Sequence, residues 1–329
     1  MKKNKWILLT AAALTLGACS SEGEPAGQES QQPVEIKLSS SLYLETRAYT
    51  KAQDSQIESG EKVYAWVDEV SGSANFITAW QLTASGTGGF AGASKNYPMS
   101  GYNIDVYAIH GNFIDGTTGE AYTPTGDFPS TLTHSVAADQ GSATSGYANS
   151  DLLFTSATGL ARQVAAHPLT FSHLLTKIEV YLVAGTGFSD SDLASATVRI
   201  LNTKPATTVT LDKSATPIAS VGTVSGTVAP ITAKMSYGSE NVTVSGTTKN
   251  APALAEAVIV PQSVESASGD PVDFIEVTIS STPYTAQLKN NFTAGNRYVY
   301  NVVVNKSGIQ FTSSIDPWGP GVGDTINAQ

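Results

Sequence analysis

The sequence predicts an all-β protein, on the basis of three observations. Apolar residues recur at every second position in short runs, for example within residues 102–108, 178–182, 275–279 and 298–304. Gly, Pro and Asn separate these runs, and helical spacing is nearly absent apart from single turns such as residues 189–196. Short alternating strands divided by turn residues are typical of β-sandwiches and β-barrels.

The first element along the chain is an export signal. Three lysines precede an apolar run over residues 6–16, which is too short for a stable membrane span. The next residues, Leu16-Gly17-Ala18-Cys19, have the form of a bacterial lipobox, in which small residues admit the signal peptidase and the cysteine sulfur takes up diacylglycerol. Residues 1–18 are therefore predicted to be a signal peptide and Cys19 a lipidated residue that anchors an exported protein in a Gram-negative-type envelope.

Cysteine usage and charge exclude several classes of protein. Cys19 is the only cysteine, so an internal disulfide framework and a cysteine-rich metal site are both excluded. When the three leader lysines are set aside, 15 of the 18 Lys and Arg residues remain against 28 Asp and Glu. An acidic chain without a basic cluster argues against nucleic acid as a partner.

A detachable strand is the next predicted element, after a polar tether over residues 20–33. One face of residues 34–44 carries five aliphatic side chains, interrupted only by Ser40; they are Val34, Ile36, Leu38, Leu42 and Leu44. A plain tether needs no such face, whereas a strand with one apolar face fills a groove in a folded domain. Residues 19–47 are therefore interpreted as a lipidated propeptide whose strand occupies such a groove.

Arg47 follows that strand directly and is the only arginine before Arg162. A lone arginine in a polar segment between a groove-filling strand and the domain body suits a trypsin-like protease. Cleavage between Arg47 and Ala48 would separate the anchor and the strand covalently from everything downstream. The alternative interpretation is an ordinary surface arginine.

The remaining chain is long enough for two domains, predicted over residues 48–166 and 167–329. A loop-rich region over residues 111–150 lies in the first, and denser alternating strands begin at residue 168.

The four histidines lack the spacing of a zinc site, and His173 is in phase with apolar neighbours, as in a satisfied core histidine. The pattern G-x-G-x-x-A at residues 86–91 precedes no helix and is predicted to be a hairpin loop. Because no catalytic constellation emerges, we expect neither enzymatic activity nor a cofactor.

Several segments, in order, give the chain a resemblance to the fimbrillin family, subunits of the type V pili of Gram-negative gut and oral anaerobes. They are the lipobox Cys19, the stretch from Thr46 to Ala48, GEKVYA at residues 60–65, LTFSHLLTK at residues 169–177, YVYNV at residues 298–302 and IDPW at residues 315–318. The resemblance implies two transthyretin-like β-sandwich domains, export as an outer-membrane lipoprotein, and removal of the N-terminal strand by an arginine-specific protease. It also implies that a C-terminal strand of another pilin subunit then fills the groove, which builds an adhesive cell-surface fimbrium.

The C-terminal region, residues 309–329, is the candidate donor. Ile309, Phe311 and Ile315 alternate there, while the tail from residue 319 offers only two useful apolar residues. The role of the chain stays open among a stalk subunit, a tip subunit and an uncleaved anchor, although Arg47 speaks against the anchor. A host or bacterial surface ligand is a further candidate partner.

A second class of protein stays open, a monomeric surface glycan-binding lipoprotein. It would expose aromatic side chains on one face, and the candidates in the loop-rich first domain are Tyr97, Tyr102, Tyr122 and Tyr147.

Overall fold

The computed structural model describes residues 32–42, 56–141 and 146–318. The described residues from Val34 onward belong to one compact unit. Their regular secondary structure is almost entirely strand, and the two helices found among them span only five and four residues. This confirms the all-β prediction. No helix within these ranges has the length and apolar character needed to cross a membrane.

The first half of the unit contains nine strands and one helix. They are β1 (Leu38–Ser41), β2 (Lys62–Glu69), β3 (Ile77–Ala84), β4 (Phe90–Gly92), β5 (Ile104–His110), β6 (Phe113–Ile114), β7 (Thr131–Ser135), α1 (Gly146–Ser150), β8 (Leu153–Leu160) and β9 (His167–Thr170).

The second half contains the remaining described elements. They are β10 (Ser172–His173), β11 (Thr176–Ala184), α2 (Asp190–Leu193), β12 (Thr197–Thr203), β13 (Ala206–Leu211), β14 (Ala219–Ser225), β15 (Ala229–Thr232), β16 (Lys234–Val244), β17 (Thr247–Ile259), β18 (Ser263–Val264), β19 (Val272–Ile279), β20 (Thr282–Leu288), β21 (Asn290–Asn291), β22 (Asn296–Asn305) and β23 (Gly308–Pro317).

A six-stranded sheet in the order β10-β8-β5-β2-β3-β4 forms the centre of the first half. Its strand β2 reads KVYAWVDE and is buried on both faces, because alternate residues enter different cores. Val63, Ala65 and Val67 face one apolar cluster, which we call the groove core. Tyr64 and Trp66 face the larger main core, which continues into the second half of the chain.

A five-stranded sheet in the order β16-β17-β11-β22-β23 dominates the second half. Strand β11 lies at its middle, parallel to β22 and antiparallel to β17. Ile178, Val180 and Leu182 point into the main core, whereas Tyr181 and Val183 pack in a smaller cluster on the opposite face. Strand β23 is at the edge of this sheet and pairs with β22 along its whole length.

Two four-stranded sheets complete the main core, in the orders β15-β12-β19-β20 and β14-β13-β7-β6. In the second of these, β7 pairs with β13 from Thr131↔Thr210 to Ser135↔Ala206. This sheet joins segments from both sides of residue 166, and the division of the chain at that residue stays a prediction from the sequence.

Candidate functional site

A groove on the first half of the molecule holds β1. On one side β1 runs parallel to β9, with a register from Leu38↔His167 to Ser41↔Thr170. On the other side it meets residues 88–97, through isolated bridges of Glu35 with Asn96 and of Ser39 with Gly89. The regular strand is shorter than the predicted 34–44, but the chain keeps its extended alternation across residues 34–42.

Backbone hydrogen bonds hold this segment along both edges. The Ile36 and Ser40 amides donate to the carbonyls of Lys95 and Gly88, each at 2.7 Å. On the opposite edge, the amides of His167 and of Phe171, at the start of β9 and just after its end, donate to this segment; His167 N–H is 2.9 Å from Lys37 O, and Phe171 N–H is 3.0 Å from Ser41 O. Because both edges are bonded, any chain that replaced β1 would need to supply backbone groups at the same positions.

The inward side chains of the segment complete the groove core. Ile36 is 2 % exposed, Leu38 6 % and Leu42 5 %, and they pack in one cluster with Val63 and Leu82 of the central sheet. Val34 is half-buried at the entrance. Burial of three large aliphatic side chains contributes roughly 5–9 kcal/mol before ordering costs. The strand is therefore a structural part of the domain that it occupies.

Ser40 interrupts the apolar face of β1. Its side chain is 7 % exposed, and its Oγ has no hydrogen-bond partner within the described ranges. An unpaired buried hydroxyl costs about 1–3 kcal/mol. Ser40 thus makes β1 a weaker occupant of its groove than the same strand with alanine at this position would be.

The wall opposite β9 includes the turn of the β3–β4 hairpin, which confirms the hairpin predicted at residues 86–91. Gly88 adopts a φ of +87°, and a Cβ at this position would lie 3.1 Å from the Ser40 carbonyl oxygen. Glycine therefore allows the close approach that the bond from Ser40 N–H to Gly88 O requires. Sequence reasoning missed this contact, because Ser40 and Gly88 are distant in sequence.

A hydrogen bond links the two walls of the groove. Tyr97, on the hairpin side, places its hydroxyl 2.7 Å from Nε2 of His167 on β9. Both residues also hold the N-terminal segment by their amides, because Tyr97 N–H donates to Val34 O and His167 N–H to Lys37 O. Burial raises the pKa of the Tyr97 phenol, so it stays protonated at neutral pH. The pair fixes the spacing between the walls.

The tyrosines considered for glycan binding do not form one exposed surface. Tyr97 and Tyr147 are each 2 % exposed and belong to the groove core and the main core. Tyr102 and Tyr122 are 45 % and 40 % exposed. Half of the predicted set therefore serves packing.

The candidate donor residues lie on β23. Ile309, Phe311 and Ile315 are half-buried and pack against the main core from the edge of the five-stranded sheet. Phe311 meets Tyr300 edge to face at 5.8 Å between ring centroids. Most of β23 is half-buried, in contrast to the nearly closed inward face of β1.

A buried charged cluster lies near the C-terminal end of β23. Lys177 Nζ is 2.8 Å from Glu256 Oε1 and 3.3 Å from Glu179 Oε1, and all three side chains are at most 1 % exposed. Arg297 joins the cluster and binds Asp316 of β23 at 2.9 Å. Opposite charges at these distances neutralise each other inside the protein. The cluster is a structural network that ties β23 to β11 and β22.

His173 is buried, as its place in an alternating run predicts. Its Nδ1 is 2.9 Å from Asp151 Oδ2, and its ring stacks on Trp318 with centroids 3.8 Å apart. Within the described ranges no group of His, Cys, Asp and Glu is arranged to hold a metal ion. Cys19, Leu44, Arg47, Ala48 and the tail after residue 318 lie outside the described residues.

Comparisons with known proteins place the chain in a family. A family model described as fimbrillin-like matches residues 46–318. A protein named fimbrium subunit Fim1C, from Bacteroides uniformis, is 25 % identical over the whole length of both chains. These relatives are fimbrial proteins rather than enzymes, in agreement with the missing catalytic constellation.

Solved structures show the same fold. A cell adhesion protein from Bacteroides uniformis superposes with a TM-score of 0.55 at 18 % identity, over 86 % of this chain and 98 % of that one. Another from Bacteroides ovatus gives 0.55 at 16 % identity, over 89 % of this chain and 100 % of that one. Because the fimbrillin-like family model matches residues 46–318, which include most of the described residues, the chain belongs to the fimbrillin-like family.

Proposed function

We propose that this chain is a structural subunit of a cell-surface fimbrium, exported as a lipoprotein and activated by loss of its N-terminal strand. The observation that carries the proposal is β1 itself. It completes an apolar core and is bonded along both edges, yet it belongs to a segment that ends just before the lone Arg47.

Processing changes the groove through one covalent step. A trypsin-like protease hydrolyses the peptide bond between Arg47 and Ala48: the hydroxyl of water adds to the Arg47 carbonyl carbon, which becomes a carboxylate, and a proton goes to the Ala48 nitrogen, which becomes an amino group. The lipid on Cys19 and the strand then form one fragment, and the rest of the chain forms the other. Before the cut, β1 is tethered and its release is an intramolecular opening. After the cut, the released strand can diffuse away, and the groove stays open.

An emptied groove is a strong site for strand addition. The carbonyls of Gly88 and Lys95 and the amides of His167 and Phe171 lose their partners, and the apolar floor below them is exposed. A strand from another subunit satisfies these backbone groups and covers the floor in one step. Each addition joins unlike surfaces of neighbouring subunits, so the assembly extends as a filament instead of closing. The two transthyretin-like sandwiches expected of the family are part of this proposal.

The test is arginine-specific proteolysis of the chain from Ser20 to Gln329. We expect a new N-terminus at Ala48, followed by oligomers that resist SDS. Arg47→Ala should abolish the cut and the oligomers, whereas the matched variant Arg162→Ala, at a half-buried arginine between β8 and β9, should preserve both. A first cut elsewhere, or a product that begins at Ala48 and stays monomeric with every candidate donor subunit, would overturn the proposal. Binding of glycans by the uncleaved monomer would favour the second class of protein instead.

A further inference from the structure

Strand β14 lies at the free edge of the four-stranded sheet β14-β13-β7-β6. An exposed sheet edge can pair with another chain, and proteins protect such edges with proline, with charged side chains or by keeping the edge strand very short. Among the described edge strands longer than four residues, β16 carries Lys234 and Glu240, β20 carries Pro283, and β23 carries Asp316 and Pro317. Strand β14 reads ASVGTVS over seven residues and has neither a proline nor a charge.

The backbone groups that β14 turns to its free edge follow from the pairing of β13. Leu211 N–H donates to Ser130 O, on the β7 side of β13. Because neighbouring residues of an antiparallel strand bond to opposite sides, every second residue back along β13 also bonds towards β7. Their register partners on β14, Val221 and Val224, therefore present N–H and C=O groups to the free edge. Within the described ranges neither of these two amides has a hydrogen-bond partner.

A β-bulge separates the two valines. Val221 and Val224 pair with residues that are two apart on β13, so Gly222 and Thr223 together face a single residue. Both valines are half-buried, whereas Gly222, Thr223 and Ser225 are exposed. The bulge limits regular pairing with a further strand to a few residues. A contact through this edge is therefore short and reversible.

The sheet that contains β14 has no formal charge. Its four strands read FI, TLTHS, ATTVTL and ASVGTVS, without Asp, Glu, Lys or Arg, and their histidine, His134, is buried. The whole chain has a net charge of −10, so two copies repel each other over most of their surface but not at this edge. An uncharged strand edge is also complementary to an identical edge, because each supplies an acceptor for every donor.

We propose that β14 pairs antiparallel with β14 of a second copy of this chain, about a two-fold axis that passes between Gly222 and Thr223. Val221 exchanges two hydrogen bonds with Val224 of the second copy, and the axis repeats this exchange. The two four-stranded sheets then form one continuous sheet.

This contact differs from the assembly proposed above. A two-fold contact closes after two copies, so it joins subunits or neighbouring fimbriae side by side and does not extend a filament. It needs neither cleavage at Arg47 nor an emptied groove. A short edge contact of this kind dissociates in SDS, whereas the oligomers expected after cleavage resist it.

Sedimentation velocity of the uncleaved chain from Ser20 to Gln329, with Arg47→Ala, tests the contact apart from any loss of β1. We expect a reversible dimer whose fraction rises with concentration. Val221→Pro removes a donor at the free edge and leaves the bonds to β13 intact, and Thr223→Lys places like charges beside the axis. Each should weaken dimerisation at least tenfold. The matched variant Thr285→Lys, at an exposed position of edge strand β20, should leave it unchanged.

Oxidation of a single cysteine gives a second readout. The chain from Ser20 contains no cysteine, and Thr223→Cys places one thiol of each copy beside the axis. Oxidation should yield a disulfide-linked dimer without higher oligomers, which reductant dissolves. Thr285→Cys should yield little of this product.

Two results would overturn the pairing of β14. One is a parent chain that sediments as a monomer at every concentration. The other is a Thr223→Lys chain that has the urea midpoint of the parent and dimerises as the parent does, because the dimer then uses another surface. Neither result affects the proposed function, which is tested on the cleaved chain by its SDS-resistant oligomers.

Discussion

Truncation of Leu38 to alanine should separate the role of β1 as a core element from its role as a removable strand. Leu38 is 6 % exposed within the groove core, opposite His167 of β9. A buried Leu→Ala change costs about 2–5 kcal/mol, and we expect about 2–3, the lower part of this range, because Leu38 keeps a small exposed fraction. At about 1.4 kcal/mol for each factor of ten, the cleaved fragment should be held roughly 30–150-fold more weakly.

The assay follows a fluorescent label on the N-terminal fragment. The chain from Ser20 is labelled at its N-terminus and cut with an arginine-specific protease, and release of the fragment is chased with excess unlabelled peptide of residues 34–45. Leu288→Ala is the matched control, because Leu288 of β20 is 8 % exposed but belongs to the main core. Both variants should lower the free energy of unfolding, and only Leu38→Ala should speed release. If both release the fragment at the wild-type rate, the reasoning about β1 is wrong.

Three further changes probe single contacts. Ser40→Ala removes a buried hydroxyl without a partner among the described residues, so it should raise the free energy of unfolding by about 1 kcal/mol, as urea denaturation would show; a loss would contradict this account. Burial lowers the pKa of His134 from 6.5 to about 4, so its neutral form stabilises the fold above pH 6.5, and about 3 kcal/mol is lost as the pH falls to 4. His134→Gln should flatten the pH dependence of urea midpoints over this window, and an unchanged slope would refute the assignment. Lys177→Met should cost about 3–5 kcal/mol by removing one of the two buried cations that face Glu179 and Glu256, whereas Lys289→Met, which breaks a much more exposed pair of similar length, should cost far less in the same assay.

The sequence predicted the local properties of the site well. Alternation along residues 34–42 indicates which side chains point inward, and Ile36, Leu38 and Leu42 are all buried. The hairpin at residues 86–91 follows from its glycines, because they exclude a helix. Both are properties of short segments, whose structure the spacing of apolar and turn residues predicts well.

The partners of these segments could not be predicted, because they are distant in sequence. Nothing in residues 38–41 indicates that they run parallel to residues 167–170, or that Gly88 lies against Ser40. Strand β11 gives a second example. Its period-two pattern marks Ile178 and Val180 as core residues, but the opposite face, with Lys177 and Glu179, is buried as well. The alternation of residues within a single strand does not indicate whether another layer of the protein covers its polar face.

The most direct test of the central claim is to lock β1 in its groove. Ser41→Cys with Thr170→Cys places two thiols where hydroxyl oxygens are 3.3 Å apart, in a chain from Ser20 that lacks other cysteines. After cleavage at Arg47, the oxidised variant should keep its N-terminal fragment and stay monomeric, and reductant should release the fragment and start polymerisation. Polymerisation of the oxidised, fully cleaved variant at the rate of the reduced one would contradict the claim that β1 must leave the groove.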